Sequence, residues 1–114
     1  MESNINLYRI LVNTSLPGHW PKSSLYRLAS IKKRILRTCP DEDIGVNQLQ
    51  QCIKQITKET LKTKNGKTLK TRSLNTYRSV LIRYVVETIT NTRLEPWEAI
   101  QFINSLKKIE NVTN

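Results

Sequence analysis

Histidine occurs once and cysteine twice in this chain, and that scarcity removes most metal and nucleophile chemistry at the outset. The single histidine, His19, cannot build the Ser/His/Asp or Cys/His arrangements of nucleophilic catalysis. With Cys39 and Cys52 it also falls short of the four nitrogen or sulfur ligands of a structural zinc site. Cys39 and Cys52 are expected as a reduced pair. Glycine is confined to Gly18, Gly45 and Gly66, which form no phosphate-cradling pattern. Aromatic residues make up only 6% of the chain, so few rings are expected to be free for stacking on unpaired bases. No apolar run approaches the ~20 residues of a bilayer span, and no basic segment leads into an apolar one at the N-terminus, so neither a membrane anchor nor a secretory signal is expected. Acid is scarce as well: nine Asp and Glu face nineteen Lys and Arg, for a net charge of +10. Such a field attracts a polyanion, whether nucleic acid, an anionic membrane surface or an acidic protein.

What the chain does have is helical periodicity. Its 114 residues suffice for a single core without staples. The spacing predicts an all-α, single-domain bundle of four to five helices over about 4–13, 24–38, 46–61, 74–89 and 96–109. Residues 1–22 read as an N-terminal arm with a short helix, carrying Leu7, Ile10 and Leu11 on one side. The loop around Pro17, Gly18 and Pro21 is irregular, with Leu16 and Trp20 expected to fold back onto the core and His19 as a loop residue. Ser23 or Ser24 is the expected cap of the second helix, and Pro40 stops it. Leu25, Leu28, Ile31, Ile35 and Leu36 fall on its apolar side, with Tyr26 the only bulky aromatic beside them. Arg27, Lys33, Arg34 and Arg37 form its cationic outer face.

Asp41, Glu42 and Asp43 are the one acidic cluster. A metal site there is conceivable, but a position ahead of the third helix, favoured by its dipole, is the simpler account. The third helix buries Val46, Leu49, Ile53 and Ile56 with Cys52 beside them. Residues 62–72 then form a basic loop with no acid, carrying Lys62, Lys64, Lys67, Lys70 and Arg72. Asn65-Gly66 marks a turn. A two-residue hairpin would set Lys64 against Lys67, a repulsive pair, so a mobile loop that orders on binding is preferred. Ser73 is the expected cap of the fourth helix. Leu74, Tyr77, Val80, Leu81, Ile82, Tyr84, Val85, Val86 and Ile89 wrap most of its circumference, which makes it central. Asn91 is placed to end it in the left-handed conformation. Pro96 opens the fifth helix, whose buried side is expected to carry Trp97, Ile100, Ile103, Leu106 and Ile109, with Glu95 and Glu98 in its first turn.

From Val46 to Leu106 the order of features resembles the SAM-like core-binding domain of tyrosine recombinases of the phage integrase family. The residues carrying the resemblance are Ser73-Leu74-Asn75-Thr76-Tyr77-Arg78, Leu81 and Tyr84 after a basic loop, then Leu94, Glu95, Glu98, Ile100, Ile103 and Leu106. That domain clamps duplex DNA around the start of this helix. The resemblance therefore implies DNA contacts from Lys70, Arg72, Ser73, Asn75 and Arg78. The family's catalytic Arg, His and Tyr set has no counterpart here, so strand cutting is not expected.

These observations predict a small, basic, non-catalytic nucleic-acid-binding module without cofactor or metal. Its contacts are expected from Arg27, Lys33, Arg34, Arg37, Lys62, Lys64, Lys67, Lys70, Arg72, Ser73, Asn75 and Arg78. Duplex DNA is favoured over RNA because free aromatics are few, and Asn75 and Arg78 suit adenine and guanine edges. The expected setting is cytoplasmic, nucleoid-associated or in a virus or mobile element within its host. The alternative is a structural or adaptor subunit of a nucleoprotein or viral assembly, acting through protein contacts and forming oligomers. A metal nuclease built on Asp41 and Asp43 is a distant third.

Overall fold

The helix that sequence periodicity makes central is central. In the computed structural model, which describes residues 4–13 and 15–113 with side chains through residue 105, α4 runs from Thr71 to Thr90. It packs against α1 (Leu7–Asn13), α2 (Lys22–Ile35), α3 (Leu49–Thr60) and α5 (Pro96–Thr113). Its buried side chains are Leu74, Leu81, Ile82, Tyr84, Val85, Val86 and Glu87. A helix that meets neighbours around most of its surface needs apolar residues around most of its surface. The protein is therefore an all-α bundle. Its one sheet among the described residues is a two-residue antiparallel pairing of β1 (Asn4–Ile5) with β2 (Ile44–Gly45).

Helix boundaries depart from the sequence reading where the backbone found other partners. The first helix was expected from residue 4. Instead the Asn6 side chain accepts a hydrogen bond from the Arg9 N–H at 3.0 Å, a cap that starts α1 at Leu7 and leaves Asn4 and Ile5 free to pair as β1. The same Asn6 amide donates to Asp41 and Asp43 at 2.8 and 3.1 Å, and the Arg9 guanidinium meets Asp41 at 3.3 Å. The acidic cluster thus anchors the N-terminal segment to the α2–α3 connection. It does not cap α3, because β2 and a 3₁₀ turn over Val46–Gln48 come between.

Neither Ser23 nor Ser24 caps α2. The helix starts one residue after Pro21, which takes an extended ψ of 151° and makes no side-chain cap bond. Ser73 likewise lies inside α4, which starts after Lys70 with no side-chain cap. At the other end Asn91 adopts the left-handed conformation, φ 51° and ψ 42°, as its position implies. In α5 Glu95 and Glu98 do more than complement the dipole. The Glu98 carboxylate accepts the Glu95 N–H at 3.1 Å, the N3-to-cap half of a capping box.

The buried side of α5 is rotated from expectation. Ala99 and Ile103 are buried, whereas Trp97 and Ile100 are 60% and 42% exposed. Counting a turn from Trp97 picks the larger side chains. The side chains of Leu106 and Ile109 lie outside the described residues. Leu16, expected inside, is also exposed, while Trp20 is buried.

Trp20 is held by a buried carboxylate. Its indole N–H donates to Glu87 Oε2 at 2.8 Å, while Glu87 Oε1 lies 2.9 Å from His19 Nε2 and accepts the Leu94 N–H at 3.1 Å. Arg83 completes the group. Its guanidinium sits 4.5 Å from the centroid of the Trp20 ring and its Nε donates to the Leu94 carbonyl at 2.8 Å. Burial pushes the Glu87 carboxyl pKa up, but the bonds from His19, Leu94 and Trp20 outweigh it and hold the group below its ordinary 4.5. The bonded form is the charged one. Its contribution to stability is complete above the unfolded-state value and is lost as pH falls through the lower folded-state value. Glu87→Ala is expected to destabilise the fold by roughly 3 kcal/mol, because the Trp20 and Leu94 donors lose their acceptor. Glu87→Gln is expected to flatten the acid limb of the stability curve. Urea denaturation followed by tryptophan fluorescence across acid pH measures both.

Candidate nucleic-acid interface

The α2 sequence contains five Lys and Arg (Lys22, Arg27, Lys32, Lys33 and Arg34) and no acid, and the following turn adds Arg37. Leu28, Ile31 and Ile35 turn inward. Lys22, Arg27, Lys33, Arg34 and Arg37 are therefore left on the outside, and all five are exposed. Part of this has a folding reason: Lys32, Lys33 and Arg34 stand in the last turn, where the negative end of the helix dipole favours cations.

The C-terminal end of α2 meets the end of α3 and the start of the basic segment in one groove of about 380 Å³, lined by Arg34, Arg37, Thr38, Glu59, Thr60 and Lys62. Two of its lining residues, Thr38 and Thr60, share a 2.9 Å hydrogen bond between their hydroxyls. Tertiary structure thus brings Arg34, Arg37 and Lys62 together from positions distant in sequence. Glu59 is the one acid in that lining and partly offsets them. Arg27 lies two turns before Arg34 on the same flank of α2, and Lys33 lies one turn before Arg37.

The basic segment folds back on itself rather than running as an open loop. Lys62 bridges Thr68, the Thr63 N–H donates to the Lys67 carbonyl at 2.7 Å, and the Gly66 N–H donates to the Thr63 carbonyl at 2.9 Å. Within this segment only Gly66 has a positive φ, 79°. This is a three-residue loop with a bulge at the glycine, not a two-residue Asn-Gly turn. The shift of one residue removes the Lys64–Lys67 opposition that argued against a hairpin. Leu61 is buried and Leu69 half-buried, so the two feet of the hairpin are pinned to the core while Lys62, Lys64, Lys67 and Lys70 project.

Lys70, Arg72 and Ser73 are exposed at the start of α4. Its first turn has no acid and no side-chain cap, so cations stand at the positive end of a helix, where folding alone disfavours them. Asn75 and Arg78 belong elsewhere. They line a separate groove with Gln50, Ile53, Lys54, Ser79, Ile82 and Ile100. Arg78 is also committed to the fold, donating from Nε to the Thr57 hydroxyl at 2.7 Å and from Nη2 to the Lys54 carbonyl at 3.0 Å. Thr57 is fully buried and itself donates to the Ile53 carbonyl at 2.7 Å. That pairing was invisible in the sequence, since Thr57 sits between apolar positions with nothing to mark its partner.

Tyr26 is the residue that the sequence reading misplaced. Set beside the apolar side of its helix, it is 82% exposed on the outer face. Its spacing from Lys22 and Lys33, one turn before and two turns after, carries that signal. Among the described residues no ion pair engages Arg27, Lys33, Arg34, Arg37, Lys62, Lys64, Lys67, Lys70 or Arg72.

The two thiols are poor nucleophiles. Burial pushes Cys39 up to about 11, helped by Cys52 and by Asp41 and Glu42. Burial and Glu42 likewise raise Cys52. Both are free. Among the described residues no group of three His, Cys, Asp or Glu side chains is placed to hold a metal ion, and no helix is long and apolar enough to cross a membrane.

The division between fold-holding and free cations is testable. Arg78→Ala is expected to cost about 1–2 kcal/mol of stability, from two lost hydrogen bonds. Lys67→Ala is expected to stay within about 0.5 kcal/mol of wild type. Paired denaturant titrations read the difference. No protein-family model, no curated protein and no solved structure matches the chain.

Proposed function

We propose that the protein is a small, non-catalytic nucleic-acid-binding module that grips the phosphate backbone through the outer face of α2, the hairpin over 62–70 and the start of α4. The observation that carries this reading is the uncompensated charge. Lys64 and Lys67 on the hairpin have no ion-pair partner among the described residues, and Lys70 and Arg72 stand, likewise unpaired, at the uncapped positive end of α4. Each such cation works against the fold by a few tenths of a kcal/mol. A phosphate placed there reverses the sign, since it meets the lysines, the guanidinium and the free N–H groups of the first turn together. The resemblance of residues 46–106 to the core-binding domain of tyrosine recombinases points to the same end of the same helix. A protein of this kind acts where nucleic acid is held, in a nucleoid or in the genome of a virus or mobile element. Backbone contacts of this sort position a protein without reading sequence. The structural commitment of Arg78 removes it from base reading in this proposal.

Affinity from phosphate contacts falls linearly with the logarithm of salt concentration. Changing Lys64, Lys67, Lys70 and Arg72 together to Glu is expected to abolish measurable binding at moderate salt. Changing the four to Ala is expected to flatten the salt slope by about three. Fluorescence anisotropy with a labelled oligonucleotide across a salt series measures this, and unchanged affinity in both variants would remove the hairpin from the interface.

A second reading has its own support. Trp97 and Ile100 are exposed on α5, a pair of large apolar side chains with the character of a protein contact. On that reading the protein is an adaptor or a self-associating subunit. Sedimentation in nucleic-acid-free buffer separates the two: a monomer is expected on the first reading, while a stable dimer that Trp97→Ser dissociates supports the second.

A further inference from the structure

We propose that Tyr26 is a base-contacting residue, and that an unpaired nucleic-acid strand lies along the outer face of α2 with one base stacked on the Tyr26 ring. The proposal rests on the nucleic-acid reading and names the form of nucleic acid that the α2 face takes.

The inference starts from the 82% exposure of Tyr26. A tyrosine left in water forgoes the burial that makes aromatic residues useful to a core, and nothing in the fold claims this one. Among the described residues its hydroxyl has no partner and no ring or cation covers its face, in contrast to Trp20, whose ring lies under the Arg83 guanidinium at 4.5 Å. The surroundings are uniformly cationic. Lys22 stands one turn before it, Arg27 beside it, and Lys33 and Arg37 two and three turns after it on the same line, all exposed. At 1.5 Å per residue the last two lie about 10 and 16 Å along the axis, a span suited to successive phosphates of one strand. The turn between carries Ala29 and Ser30, whose side chains are short.

Three partners compete for such a face. A membrane surface needs an apolar ridge, and here the ring stands alone among Ser23, Ala29, Ser30 and lysines. A duplex offers base edges in its grooves, its base faces being stacked on one another. An unpaired strand offers what the site lacks: a π-face for the ring, with phosphates at intervals for the flanking cations. The expectation of duplex DNA drew on the scarcity of free rings, and Tyr26 is a free ring.

The test compares three labelled ligands of equal length: a thymidine homopolymer, an abasic strand with the same phosphates, and a blunt duplex. Each is titrated with wild type, Tyr26→Phe and Tyr26→Ala by anisotropy at one salt concentration. Wild type is expected to prefer the thymidine strand to the abasic strand by about 5- to 150-fold, the range of one base–aromatic stack. Tyr26→Ala is expected to erase that preference and leave the abasic and duplex affinities unchanged, and Tyr26→Phe to retain it. The proposal is overturned if Tyr26→Ala binds the thymidine strand as wild type does, or loses affinity equally for all three ligands. In either case binding that remains salt-dependent leaves the nucleic-acid reading standing. Absence of binding to every ligand at low salt overturns both.

Discussion

A carboxylate without water must be surrounded by donors or it will not stay charged, and Glu87 is surrounded. Three chain segments meet on its two oxygens: the irregular connection before α2 through His19 and Trp20, α4 itself, and the α4–α5 connection through the Leu94 N–H. Neither connection has secondary structure of its own to hold it. The prolines and glycine keep residues 17–21 out of a helix, leaving a turn closed by the Trp20 N–H on the Pro17 carbonyl at 3.2 Å, and Trp20 adds a tertiary anchor by setting its ring against Tyr84 and its indole N–H on Glu87. Arg83 then bridges the Trp20 ring to the Leu94 carbonyl. The connections that lead into α2 and α5 are thus both tied to α4 at this one group.

The basic residues divide accordingly into two sets. Arg9, Arg78 and Arg83 each have a fixed acceptor and close a joint of the fold: the N-terminal segment to the acidic cluster, α3 to α4, and α4 to its following turn. All three are arginines, whose planar fork suits several acceptors held at once. The exposed set is mostly lysine around the hairpin and mixed on α2. Among the described residues no ion pair neutralises it, so its field extends into solvent.

Much of the fold was legible because it depends on local terms. The helical pattern of α4, its end at Asn91 and the start of α5 at Pro96 follow from side-chain periodicity, a left-handed residue and a proline without an N–H, none of which needs a distant partner. The misreadings share a cause. Ser23, Ser24 and Ser73 are good caps in isolation, but a helix extends past a good cap whenever the preceding residues can be packed, and Leu69 and Trp20 are packed. Trp97 and Ile100 were assigned to the buried side of α5 together with Ile103, yet Ala99 is the residue buried beside Ile103. The hairpin was set aside over a repulsive pair that a one-residue bulge at Gly66 removes.

For the candidate site the same boundary holds. Composition alone determined that the molecule carries a large positive charge, because charge and residue type do not depend on folding. Helical spacing determined that the cations of α2 share a face. Only tertiary structure decided that Arg34, Arg37 and Lys62 line one groove and that Arg78 is absorbed by Thr57 and Lys54. Those outcomes rest on which helix packs against which, and packing is settled by contacts between residues tens of positions apart, whose pairing no local pattern encodes.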